Sequence, residues 1–112
     1  IESVPAIATQ ATVTQGTAGV GLRNVLRTLA VTLVGGTTAP AAQVIEFEVV
    51  DDATVVWQVT LGLPATAGET RGLTISNLGI YGTANVGMTV RSTATIAANS
   101  YASVAATGEV ST

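Results

Sequence analysis

Histidine, cysteine and lysine are all absent from this chain, and charged residues make up only 10% of it. General acid–base catalysis at neutral pH rests most often on histidine, and covalent catalysis on a tuned cysteine or lysine, so those routes are closed. Zinc held by His and Cys is excluded with them. Without cysteine there is no disulfide, and the fold must hold through packing and backbone ladders alone. The cations are four scattered arginines, Arg23, Arg27, Arg71 and Arg91, and the formal net charge is −3. Nucleic-acid binding needs a basic stripe to displace counterions, so neither DNA nor RNA is an expected partner. Aromatic residues are 4% of the chain, namely Phe47, Trp57, Tyr81 and Tyr101, so Val, Ile and Leu must supply most of the core.

What remains is apolar: 47% of the 112 residues, with a mean hydropathy of +0.54. That length fits one domain with one core. Residues 3–22 and 28–45 carry no charge, but the first is rich in Thr, Gln and Gly and the second is cut by Gly35, Gly36 and Pro40. Neither is the continuous apolar helix of ~20 residues that a bilayer requires, so a soluble chain is expected and a membrane is not an expected partner. The chain begins without methionine and without a basic segment leading into an apolar one, as a trimmed or processed chain does.

Period-two alternation dominates, with β-branched residues on the runs and Gly, Pro, Asn or Asp between them. In residues 25–33, Val25, Leu29, Val31 and Leu33 share one face and Thr28 and Thr32 the other. Arg27 breaks the apolar face, its stem expected along the core edge and its guanidinium in solvent or on a carboxylate. Ile45, Phe47 and Val49 alternate with Glu46 and Glu48, Asp51-Asp52 makes a turn, and Val55, Trp57, Val59 and Leu61 follow in phase, which together describe an antiparallel hairpin with a wet outer face. A loop spans Gly62, Pro64 and Gly68. Leu73 and Ile75 then open a strand, and Asn77 resets the phase so that Leu78 and Ile80 point inward. Val86, Met88 and Val90 mark another strand, and residues 101–110 a last one that Gly108 interrupts as at a bulge.

With a threonine-rich strand near residues 11–15, this makes about eight short strands and an all-β, antiparallel β-sandwich. Such a count suits both a jelly-roll and an immunoglobulin-like order, and the jelly-roll-like order is the one expected here. A helical reading of residues 20–33 is weaker, because their Val and Thr content and clean alternation favour strand. The domain is placed at residues 11–112, with residues 1–10 as an extended arm.

Glu46, Glu48, Asp51 and Asp52 form the one acidic concentration. Paired carboxylates can hydrolyse glycosides and hard cations take clustered ones, yet a wet strand face followed by an Asp-Asp turn describes any soluble hairpin. Gly16, Gly19 and Gly21, and Gly79 and Gly82, lack the strand–loop–helix context and the lysine of a phosphate cradle, and read as turns. Trp57 is in phase with Val55 and Val59 and so reads as core rather than as a sugar platform. No catalytic, cofactor or metal residue is assigned. The arm, through Ile1, Val4, Pro5 and Ile7, could add a strand to a neighbouring subunit's sheet, or serve as an ordinary tail or first strand. Thr83 and Asn85 would form a contact tip in the loop at residues 82–85, with residues 97–100 forming another.

The stretch Trp57-Gln58-Val59-Thr60-Leu61-Gly62-Leu63-Pro64-Ala65-Thr66-Ala67-Gly68, followed by Gly82-Thr83-Ala84-Asn85-Val86-Gly87-Met88-Thr89-Val90, resembles small Ala- and Thr-rich β-sandwich proteins encoded among the virion structural genes of tailed bacteriophages. The resemblance runs from about Ala11 to Val110 and departs from the group at Val90-Arg91-Ser92, where an acidic–aromatic pair is common. It implies a non-enzymatic capsid decoration (cement) protein on the virion surface, bound to the major capsid protein and commonly a homo-oligomer, dimer or trimer. The alternative it leaves is a tail or fibre component that recognises a host surface. A carbohydrate-active module using Glu46, Glu48 and the Asp pair, and a bacterial surface or pilus subunit, are the readings from other classes.

Overall fold

The computed structural model of the chain describes residues 6, 7, 11–93 and 96–112. Nine strands are present among them: β1 (Ala6–Ile7), β2 (Thr12–Gln15), β3 (Arg23–Gly35), β4 (Gln43–Asp51), β5 (Thr54–Leu63), β6 (Thr70–Ile75), β7 (Ile80–Tyr81), β8 (Met88–Ser92) and β9 (Ser100–Ser111). All pairings are antiparallel. One sheet has the order β1-β9-β3-β6, with β7 also on β3, and the other the order β2-β8-β4-β5.

β6 and β7 both run along β3, against residues 29–34 and 25–26 respectively, so they are one strand interrupted at residues 76–79. Asn77 is the interruption. Its φ of 60° takes the left-handed conformation that asparagine tolerates, and beyond it Leu78 and Ile80 pack against the core as the phase change requires. Counted so, eight strands cross between the sheets at nearly every connection, the double Greek key of a jelly roll. The β4–β5 hairpin alone joins sequence neighbours within the second sheet; an immunoglobulin order would also keep its first two strands in one sheet.

The core lies between the sheets and centres on Phe47, which is fully buried among Leu29, Val31, Leu33, Val49 and Val104. Burial of each such side chain contributes about 1.5–3 kcal/mol. The many alanines have a specific use here. On the core face of the β3–β9 ladder, Leu33 lies opposite Ala102 and Leu29 opposite Ala106, so each large side chain meets a small one and the layers interdigitate. On the outer face Thr28 pairs with Thr107, Ala30 with Ala105 and Thr32 with Ser103, and the Thr28 and Thr107 hydroxyls share a hydrogen bond.

Two bulges correct the simple alternation. In β3 the register slips between Leu26 and Thr28, leaving Arg27 as an extra residue. Leu26, not Val25, is therefore in step with Leu29, Val31 and Leu33; Val25 is buried but lies outside the core cluster. The same slip removes Arg27 from the apolar face and sends its guanidinium to Glu109, where Nε donates at 3.0 Å. In the hairpin, Val49 pairs with Trp57 but Val50 with Val55, so Val56 is extra, and both Val55 and Val56 are exposed although Val55 had been placed in phase with the core. Trp57 does pack against the core.

Gly108 was expected to interrupt the last strand, but β9 runs unbroken from Ser100 to Ser111 and the bulge lies on β3, facing Gly108 across the ladder. A Cβ there would stand 2.0 Å from the Val25 carbonyl oxygen, a backbone atom that cannot move aside. Gly108→Ala is therefore expected to destabilise the domain by about 3 kcal/mol or more. Gly16→Ala, with nothing within 4 Å of the new atom, should stay within about 0.5 kcal/mol. Chemical denaturation of the two variants checks the contrast.

Candidate interaction surface

The strands begin and end so that one pole of the sandwich collects the Asp52-Ala53 turn, the loops at residues 16–22 and 82–87, and the exposed end of β9. Among the described residues, six large apolar side chains are exposed: Val20, Val44, Val55, Val56, Tyr81 and Val110. All but Val44 belong to this pole, and Val20, at the tip of a Gly19-Val20-Gly21 turn, is 91% exposed.

Backbone and side-chain bonds hold the pole rigid. The Asp51 carboxylate accepts from the Thr83 amide at 3.0 and 3.1 Å and from the Thr83 hydroxyl at 2.7 Å. The Gly82 amide donates to the Asn24 carbonyl and the Asn85 amide to the Leu22 carbonyl, both at 2.8 Å. Asn85 takes a left-handed φ of 63°, and Asp52 one of 57° in the two-residue hairpin turn. Asn24, 5% exposed, donates through Nδ2 to the carbonyls of Gly16 at 3.0 Å and Val86 at 3.3 Å, stitching two loops together.

Between the sheets this pole opens into a cleft of about 500 Å³, floored by Leu26, Met88, Val90 and Ala106 and edged by Gln15 and Glu109. It is open because Ala106 and Gly108, between Val104 and Val110 on β9, leave the inter-sheet space unfilled. On the rim, Arg27 lies 5.5 Å from the Tyr81 ring centroid and holds Glu109. The hydrogen bond Arg27 donates to Glu109, then the one it donates to Tyr81, raises the Arg27 pKa above its ordinary value.

The sequence-assigned residues divide. Thr83 and Asn85 both sit at this pole, exposed, but the amide and hydroxyl of Thr83 are spent on Asp51. Ile7 lies in β1, whose backbone pairs with β9 of the same chain opposite Tyr101; Ile1, Val4 and Pro5 lie outside the described residues. The second suggested tip is at the other pole and is also tied down, with the Ala97 amide donating to Gln43 Oε1 at 3.0 Å and the Ser100 hydroxyl to the Ala97 carbonyl at 2.6 Å. Val20, Val56 and Val110 were not singled out from the sequence. Their signals were a valine between two glycines and two adjacent valines where alternation can bury only one.

The four carboxylates of the hairpin do not converge. Glu46 accepts from Gln58 Nε2 at 2.7 Å, Glu48 from Arg91 Nε at 2.8 Å, and Asp51 from Thr83. Among the described residues no three acidic side chains are grouped as metal ligands. With the Thr14–Thr89 hydroxyl pair at 3.1 Å, these bonds make a belt across the outer face of β2, β8, β4 and β5. Glu48 is 7% exposed, so the hairpin's outer face is drier than its charges indicate. No protein-family model matches the chain, and no curated protein matches it.

The belt gives an asymmetric expectation. Arg91→Met strands a buried carboxylate and should cost about 2 kcal/mol, whereas Glu48→Gln leaves a half-exposed guanidinium that water can serve and should cost about 1 kcal/mol or less. Thermal unfolding of both variants at neutral pH tests the order.

Proposed function

We propose that the protein is a non-enzymatic virion structural subunit, a capsid decoration (cement) protein that stabilises the major capsid protein lattice of a tailed phage. The observation that carries this reading is the collection of Val20, Val55, Val56, Tyr81 and Val110 at one rigid pole. Exposed apolar side chains gathered at one end of a small, weakly charged domain suit a protein-binding surface. Rigid loops reduce the ordering cost of docking. A repeating lattice suits such a contact, since many modest interfaces over a shell need no deep pocket on any one subunit. The separate structural use of Glu46, Glu48 and Asp51 supports a non-catalytic role, because paired-carboxylate chemistry needs two acids facing one substrate.

Cryo-electron microscopy of the intact particle should find the chain on the capsid exterior with this pole against the shell. In binding to undecorated particles, Val20→Asp and Val110→Asp together should weaken occupancy at least tenfold without lowering the unfolding temperature, and Glu46→Gln should leave binding nearly untouched. Location in the tail, with binding to host cells or glycans, would favour the host-recognition reading, and absence from the virion would end both.

A further inference from the structure

We infer that the β5–β6 side of the sandwich is a self-association surface, on which β5 of a second copy pairs antiparallel with β5 to make one continuous sheet across a two-fold axis. Three features of the edge carry this.

The first is the backbone. β5 pairs with β4 alone, so every second residue along its outer side presents an unpaired amide and carbonyl. Natural edges are blunted by shortness, charge, proline or bulges. The opposite edges follow that rule, β1 having two residues and β2 four, and β6 carries Arg71 and ends at Ile75, before the left-handed Asn77. β5 has ten residues with neither a charge nor a proline, and past the Val56 bulge it runs regularly from Trp57 to Leu63.

The second feature is an unfinished core. The inward residues of β3 and β4 are almost wholly buried, yet Trp57, Val59 and Leu61 of β5, with Leu73, Leu78 and Ile80 across the seam, pack on the core and stay partly exposed. A body laid along this side would complete their burial.

The third feature identifies that body as a second copy. A charge-free strand meets itself without like-charge repulsion, and antiparallel pairing of a strand with its own copy is the arrangement a two-fold axis generates. The acidic residues opposite β5, Glu46 and Glu48 on β4, would face their symmetry mates across three strand spacings, roughly 14 Å, beyond the screening length at physiological salt. Ten residues at ~3.3 Å extend roughly 33 Å. On a molecule 22 by 19 Å in section, that side offers roughly 650 Å², close to the ~800 Å² per partner of a standard interface.

This inference does not depend on the capsid reading, and the two fail separately: a chain that dimerises but is missing from virions would keep this one and sink the other. The chain's one tryptophan, Trp57, lies on the seam and reports on it directly. Sedimentation equilibrium of the purified chain should show a reversible dimer, with Trp57 emission moving red and acrylamide quenching rising as the dimer is diluted. Gln58→Lys with Thr60→Lys changes two exposed side chains, gives up the Gln58–Glu46 hydrogen bond within the subunit, and sets like charges opposite each other across the axis. Dimerisation of that variant should weaken at least tenfold, with an unchanged far-ultraviolet circular dichroism spectrum and monomer-like Trp57 emission at every concentration. A wild-type chain that stays monomeric with concentration-independent Trp57 emission overturns the inference. So does an oligomer that the double variant leaves intact.

Discussion

The antiparallel ladder between β3 and β9 pairs Arg23 with Ser111 at one end and Gly35 with Ser100 at the other, and the remaining elements take their places from it. β9 carries β1 on its free side, β3 carries β6 and β7 on its own, and the core faces of the two strands supply the Leu–Ala pairs on which the second sheet rests. In a chain without disulfides, with few aromatics and few charges, this ladder does what a cross-link does elsewhere: it fixes two distant segments in one register. A one-residue slip would turn every Leu29, Val31 and Leu33 to the outside, so the alternation itself enforces the alignment.

Much of this was legible in the sequence because a buried sheet face writes itself as period two. Phe47, Val49, Leu29 and Leu33 declared their burial, and Asn77 declared the phase change, since few other residues tolerate its backbone conformation. The bulges were harder to read. Arg27 showed as an anomaly, but the slip that absorbs it is set by Gly108 across the ladder, some eighty positions away, and no local pattern links the two. Val55 was misplaced for the same reason, because Val56 shifts the count by one. The apolar pole is harder to read because it exists only after four separated segments have been brought to one end.

The polar residues show how a chain so poor in charge uses what it has. Each arginine and carboxylate of the outer belt bridges adjacent strands, and the threonine pairs do the same without charge. The belt side chains are thereby committed to holding strands together, while apolar surface at one pole and backbone along β5 stay open to solvent. Both are suited to contact with another macromolecule.

The β3–β9 ladder also has a bearing on how the chain reaches this state. Its partners are far apart in sequence, and β1 and β2 likewise wait for β9 and β8. Closing such long loops carries an entropy cost before any contact rewards it, so topologies of this kind fold slowly. During synthesis β3 leaves the ribosome long before β9 exists, with its row of Leu and Val uncovered. Thr28 and Thr32, which alternate with them, make that early strand less apolar than its core face alone.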